Sequence, residues 1–245
     1  MRSKLFRLNS GLFFKEDTHS YFYDTVPLTS VTTLIKAYSP YFDSEAVQRD
    51  ISDRLGAFAG TLEANRWEEE GEAARLIGNE VHKFVEESVS HRSPAIDIDD
   101  KLYKYKLAAI RYLTESRLFS PRYIGLIPEQ RIFHPEYLLA GTLDLIAEKP
   151  NGHVDLYDWK TNKRFRVVGE GDFMSTPLDK RRYSDLLIYS LQLNLYKIIL
   201  EEAYKIPVDD MRIVRLPSSG YPVEYLVKDM PESHVLVNHW MEMIS

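Results

Sequence analysis

The 245-residue sequence contains no cysteine. That absence excludes disulfides, thiolate zinc sites, thiol nucleophiles and iron–sulfur clusters together, so any metal must be held by oxygen or imidazole ligands. Long apolar runs are also missing. The longest, such as LLIYSLQL from Leu186 to Leu193, stop well short of the roughly 20 residues that span a bilayer. The opening MRSKLFRLNSGLFFK lacks the continuous apolar core of a signal peptide, so the expected location is cytoplasmic, with no membrane partner. Positive charge is not in excess either: 31 Lys and Arg stand against 37 Asp and Glu, a formal net charge of −6. This excludes a surface coated in basic residues and leaves nucleic acid binding to local clusters. There is no internal repeat and no low-complexity segment. What is present, 44% hydrophobic and 28% charged residues, is enough for one sizeable core, alone or with a small appended lobe.

Periodicity gives the order of elements. Residues 11–29 alternate aromatic and polar side chains about a turn at Asp17, Thr18 and His19, which predicts a small hairpin. Ser30 is placed to cap a short helix, VTTLIKAY. Residues 43–91 have helical composition, with breaks expected at Gly71 and Gly78, and KLYKYKLAAIRYLTESRL predicts a further helix. After Pro121 the period changes to alternation. RYIGLIPEQRIFH, EYLLAGTLDLIAEK and HVDLYDWKT read as three consecutive strands, followed by an irregular loop over 162–183. SDLLIYSLQLNLYKIILEEAYK is the clearest helix, and MRIVRL and VEYLVK are two more strands before a C-terminal helix from Pro231. The expectation is a mixed α/β fold: a central mixed sheet containing a three-strand meander, flanked by helices. Residues 1–75 would form an N-terminal hairpin and helical lobe, integrated with a core over 76–245.

The second hairpin of the meander, GTLDLIAEKPNGHVDLYDWKT, carries Asp144, Asp158 and Lys160. A turn centred on Asn151 places residue i opposite residue 302 − i, twice 151, so Asp144 faces Asp158 and Lys160 shares their face. Like charges opposite each other cost about 0.2–1 kcal/mol at a sheet surface, and more where water is scarce. A bound divalent metal would resolve the conflict; a hairpin whose charged side simply faces water is the other reading. A one-residue slip would separate the acids. Asp155, on the opposite face with Tyr157 and Trp159, is assigned no function. His82 shares a helix side with Val85 and Val89, which points it inward and reads most simply as a hydrogen-bonded core histidine. Glu86, one turn on, either orients His82 or faces water.

Gly141-x-x-Asp144 followed by Asp158-x-Lys160-Thr161 resembles the catalytic core of the PD-(D/E)xK nucleases, and within them the RecB-like and phage-type exonucleases. Gly78-x-x-x-His82, Gln192-x-x-x-Tyr196 and the Ser30-Val31-Thr32 segment occur in the order of that branch, so the likeness covers most of residues 28–200. It implies a restriction-endonuclease-like core and one or two Mg²⁺ or Mn²⁺ ions held by His82, Asp144, Asp158 and the backbone carbonyl of Trp159, with Glu129 as a further carboxylate. It implies that Lys160 either activates water or neutralises the phosphorane, and that Gln192 and Tyr196 belong to the catalytic group. The implied activity is DNA exonuclease action from single-stranded or processed double-stranded ends, leaving a 5′-phosphate and a 3′-hydroxyl, in recombination, replication or repair, in a phage-encoded protein. A single-strand-binding, annealing or replication protein would be the partner besides DNA. Relatives that carry an iron–sulfur cluster need four cysteines, so this chain would be cluster-free. A structure- or sequence-specific endonuclease and a non-catalytic nucleic-acid-binding module are the alternatives. Beside such a site Ser30, Thr32, Thr161, Lys163, Arg164, Arg166, Lys180, Arg181 and Arg182 become candidate phosphate contacts. Helix capping by Ser30 and ordinary solvated surface for the basic residues are the competing explanations.

Overall fold

Alternation after residue 121 produces the meander at the centre of the molecule. A computed structural model of the chain describes residues 11–40, 43–91, 96–169 and 171–244. The first ten residues, and the 92–95 part of the segment that follows the long N-terminal helical region, lie outside the described residues. Strands β1 (Leu12–Lys15), β2 (Ser20–Tyr23) and β3 (Val26–Ser30) lead into helix α1 (Val31–Tyr38), then α2 (Ser44–Leu55), α3 (Ala57–His91) and α4 (Tyr103–Glu115). The meander follows as β4 (Gly125–His134), β5 (Leu139–Glu148) and β6 (Val154–Lys160); α5 (Asp185–Glu202), β7 (Val208–Arg215), β8 (Val223–Val227) and α6 (Glu232–Ile244) complete the chain. The eight strands form one open mixed sheet ordered β1-β2-β3-β5-β6-β7-β8, with β4 paired to β5 off this path. Strands β6 and β7 run parallel and are joined through α5. Among the described residues no helix is long and apolar enough to cross a membrane.

Strand alternation splits the apolar residues between two cores. Leu156, Ile146 and Ile213 pack on one side with Val31 and Leu34 of α1, Leu191, Leu195 and Ile199 of α5, and Leu236 of α6. Tyr157, Trp159, Leu145 and Val214 pack on the other with Val81, Val85 and Val89 of α3 and Ala108, Tyr112 and Leu113 of α4. Each fully buried Leu or Ile contributes about 1.5–3 kcal/mol, so both helical layers are pinned to the sheet. The layers matter to function because α3 and α5 approach the end of β6 from opposite sides.

The hairpin register is the one expected: Leu145 pairs with Tyr157, Ile146 with Leu156, Ala147 with Asp155 and Glu148 with Val154. Two local expectations are corrected. The helical region does not break at Gly71 or Gly78; α3 runs through both, because an isolated glycine costs a helix only about 1 kcal/mol and leaves its hydrogen bonds intact. The break falls at Gly56, which closes α2 with φ of 95°, a conformation that excludes most side chains. The N-terminal hairpin also gains a third strand: β3 pairs with β2 and then, in parallel, with the start of β5. It is short and contains Pro27, so alternation alone did not reveal it.

Candidate metal centre

Strand β5 meets β4 along one edge from Leu139 to Glu148. Along its other edge it pairs with β3 at Leu139 and Ala140, and with β6 only from Leu145 onward. Among the described residues, 141–144 therefore have no strand partner on that side, and the sheet opens into a fork. Strand β6 continues beyond it on β7 alone, to the pair Lys160 with Arg215. Asp144 stands at the crotch. Its Oδ2 accepts a 2.7 Å hydrogen bond from the Trp159 backbone N–H, a strand donor that has left the β5 ladder.

The other oxygen faces the centre. Asp144 Oδ1 lies 3.6 Å from His82 Nδ1, and Glu129 Oε1 lies 3.9 Å from the same nitrogen. Ligand atoms of His82, Glu129 and Asp144 all fall within 4.8 Å of one another. Glu129 is brought here by its pairing, since Pro128 opposes Leu145 and Gln130 opposes Leu143, which leaves Glu129 across from Asp144. Its backbone has φ of 47°, a conformation that non-glycine residues adopt rarely and that concentrates at functional sites. Separations of 3.6 and 3.9 Å are too long for hydrogen bonds. They lie between the spacings of about 3.0 and 4.2 Å expected for adjacent and opposite donors around an ion with bonds of about 2.1 Å. One imidazole and two carboxylates suit Mg²⁺ less specifically than Mn²⁺, which accepts nitrogen readily. The chemistry of His82, Glu129 and Asp144 suits a divalent ion, a set that differs from the one the resemblance implies in that the Trp159 carbonyl is bonded to His82 instead. His82 is oriented for this by its other nitrogen, which donates to the Trp159 carbonyl at 3.0 Å. Burial disfavours the imidazolium, but Asp144 and Glu129 outweigh it and raise the His82 pKa from 6.5 to about 9.

Asp158 and Lys160 form the second half of the cluster. Lys160 Nζ lies 2.7 Å from Asp158 Oδ2 in a buried ion pair, and among the described residues that oxygen has no other partner. Burial raises the Asp158 pKa from 3.8 to about 6, with Lys160 opposing the rise and Asp144 adding to it. Burial works against the Lys160 ammonium, but Asp158 and Asp144 more than compensate and its pKa lies above the usual lysine value. Asp155 supplies the contrast. It too is fully buried, yet Tyr123, Arg122, Lys149 and the Asp210 N–H all donate to or pair with it, so it needs no further partner. Three acids share the fork with one lysine, and the Asp158 oxygen is held through its ion pair with that lysine.

Helix α5 closes the site from the other side. Gln192 Nε2 donates to the Tyr196 hydroxyl at 3.2 Å, and both residues are buried. Tyr196 packs on the backbone of Gly141 so closely that a Cβ there would sit 2.4 Å from Cε1 of the ring. Tyr189, one turn before Gln192, was not singled out from sequence; its ring lies 4.5 Å from Lys160 Nζ and its hydroxyl accepts from Asn162 Nδ2 at 2.8 Å. The i, i+3 spacing of Tyr189 and Gln192 on one helix face was the available signal.

Of the remaining expected residues, Ser30 and Thr32 line a small cavity with Glu129 and Gln192, and the others lie farther along the chain's surface or in pairs of their own. Ser30 caps α1, its Oγ accepting from the Thr33 N–H at 3.0 Å and bonding Thr32 Oγ1 at 2.9 Å. Thr161 lies beside α3, 3.7 Å from where a Cβ on Gly78 would stand. Lys163, Arg164 and Lys180 are exposed. Arg166 pairs with Asp185 and stacks on Tyr183, Arg181 pairs with Glu232, and Arg182 donates to the Gly171 carbonyl. Glu86 is half-buried.

No family model matches the chain, and no curated protein matches it. Among solved structures it is similar to a crystal structure described as "Putative exonuclease" from Eubacterium rectale, with 18% identity, a TM-score of 0.42, and coverage of 83% of this chain and 81% of that one. A second likeness, to the crystal structure of SSO0001, has 15% identity and a TM-score of 0.32 over 59% of this chain and 64% of that one.

Proposed function

We propose that this chain is a metal-dependent deoxyribonuclease that hydrolyses phosphodiester bonds as an exonuclease, from DNA ends. The observation that carries the reading is the fork, where His82, Glu129 and Asp144 converge beside a buried Asp158–Lys160 ion pair. The same residues hold the sequence likeness to the PD-(D/E)xK nucleases. His82, Glu129 and Asp144 would hold Mg²⁺ or Mn²⁺, with Asp158 adjacent. The ion supplies Lewis acidity toward the scissile phosphate and water.

The side chains do the rest. Lys160, protonated and held between Asp158 and the Tyr189 ring, presents a fixed positive charge where negative charge builds on the phosphoryl oxygens. Asp144 cannot swing away, because one of its oxygens is tied to the Trp159 N–H. Gln192 and Tyr196 hold the Gly141 backbone against α5 and so fix the side of the fork. Exposed Lys163, Arg164 and Lys180 would contact the phosphates outside the site without reading sequence. In the cell, the partner would be a single-strand-binding, annealing or replication protein acting on the same DNA.

The test is a cleavage assay on single- and double-stranded oligonucleotides labelled at either end, with Mg²⁺, Mn²⁺ and chelator, beside a covalently closed circle. Cleavage of linear DNA only with metal, an intact circle, and inactivity of Asp158→Ala and Lys160→Ala are expected. Nicking of the circle would replace exonuclease with endonuclease action, and full activity in either variant would refute the assignment of the site.

A further inference from the structure

Beside the fork, α1, α5 and the loop residues Arg166, Gly171, Asp172 and Tyr183 line an open cavity of about 1100 Å³. It touches the candidate centre at two points. Tyr189, whose ring carries Lys160, lines it, and Thr32 and Gln192 line both this cavity and a smaller one of about 290 Å³ that reaches Glu129 and Gly141. The two spaces therefore adjoin at Thr32 and Gln192, beside the site. The walls of the larger one combine two aromatic rings, Tyr183 and Tyr189, with Ile188, two cations, Lys36 and Arg166, and one acid, Asp172. Arg166 lies 4.6 Å over the Tyr183 ring while its Nε is 3.4 Å from Asp185, so the cation is held against the ring.

We infer that this groove takes a single strand of DNA with its bases unstacked, and that the substrate is a single-stranded end; the inference rests on the nuclease reading of the adjoining centre. Rings beside cations are what a sequence-tolerant single-strand site requires, because every base offers a π-face and every linkage a phosphate. A duplex hides its base faces in the stack and could use only the cations. The centre is also recessed: the Asp144, Lys160 and Asp158 side chains are 11, 15 and 3% exposed. A flexible strand can reach such groups, and a rigid duplex backbone can do so only after its end frays.

The test measures binding in chelator, where no cleavage occurs, of a dye-labelled oligothymidylate of about 12 nucleotides and a blunt duplex of equal length. The wild-type chain should bind the single strand about tenfold or more tightly than the duplex. Tyr183→Ala should weaken single-strand binding about fivefold or more. Lys36→Glu, an exposed change on α1 that carries the test if the first variant fails to fold, should weaken it and flatten its salt dependence by about one unit or more of slope. Equal binding of the two forms, or wild-type affinity in the folded variants, overturns the groove. Metal-dependent cleavage alongside that result would leave the nuclease reading standing, whereas strand-selective binding with no cleavage in Mg²⁺ or Mn²⁺ would overturn the nuclease reading and keep the groove.

Discussion

Gly141→Ala separates two effects of opposite sign. Gly141 is not among the residues with positive φ, so alanine suits its backbone, and the loss of unfolded-state freedom alone would stabilise the protein by about 0.4–1 kcal/mol. The new methyl group, however, would lie 2.4 Å from Cε1 and 2.8 Å from the hydroxyl oxygen of Tyr196. That ring cannot retreat freely: it is buried among the α5 core residues and its hydroxyl accepts from Gln192. Overpacking of this kind costs about 1–3 kcal/mol. Net of the entropic gain the loss is about 0–2.6 kcal/mol, and at about 2–4 °C per kcal/mol for a chain of this size the melting temperature should fall by up to about 10 °C. The assay is thermal unfolding followed by circular dichroism, with Tyr196→Leu and the double variant completing the cycle. Because leucine removes the ring edge that clashes, the double variant should recover at least about 1 kcal/mol relative to the sum of the single changes. A melting temperature above wild type for Gly141→Ala, or simple additivity in the cycle, would refute the claim that the glycine is there to seat the tyrosine.

Glu129→Gly should raise the metal-free melting temperature, by relieving a left-handed backbone that costs about 1–3 kcal/mol and a charge opposite Asp144, while lowering Mn²⁺ affinity in calorimetry; a destabilised variant with unchanged affinity would contradict it. Mn²⁺ binding should release a proton at pH 7 and strengthen by up to about tenfold per unit as pH rises toward 9, since His82 must lose its proton to bind metal; calorimetry in buffers of different ionisation enthalpy measures this, and no proton release would refute it. In the metal-free protein the raised His82 pKa adds stability that is complete below about pH 6.5 and fades through pH 9, so His82→Gln should flatten the alkaline limb of a stability-against-pH curve. Lys160→Met should destabilise the protein by about 3–5 kcal/mol at pH 8, where Asp158 is left charged and buried, and by clearly less at pH 5, where Asp158 takes up a proton; equal losses by denaturant unfolding at both pH values would refute the pairing.

The meander and its register were legible because a short turn at Asn151 leaves little choice: alternation on both sides fixes which residues oppose, and Leu145 does meet Tyr157. The fork was not legible. Extending the same register predicts Asp144 and Asp158 side by side on one ladder, whereas β5 and β6 part at that point, so the close carboxylate neighbour of Asp144 around His82 is Glu129, supplied by β4. Nothing local encodes the parting, since it depends on β3 entering from the distant N-terminus to take the start of β5. His82 could be placed on an inward helix face from its valine neighbours, but its two partners come from other strands and its second nitrogen from a backbone carbonyl. Tyr189 escaped notice because a tyrosine on an apolar helix reads as core, and only the position of Lys160 gives it another use.

The parting of β5 from β6 has a physical consequence for the chemistry. In a closed ladder the Trp159 N–H would be taken up by backbone and the two acids would be free to turn toward water. With the strands open, a side chain must satisfy that donor, and Asp144 does so with one oxygen, leaving the other fixed toward His82. One carboxylate thus completes the backbone hydrogen bonding and holds negative charge at the centre, so the charge cannot relax away without exposing an unsatisfied strand amide. The repulsion among Glu129, Asp144 and Asp158 is therefore built in during folding, and Lys160 and His82 offset only part of it. A site whose charges are already fixed needs little reorganisation when a cation and a phosphate arrive, which is the condition under which electrostatic stabilisation is most effective.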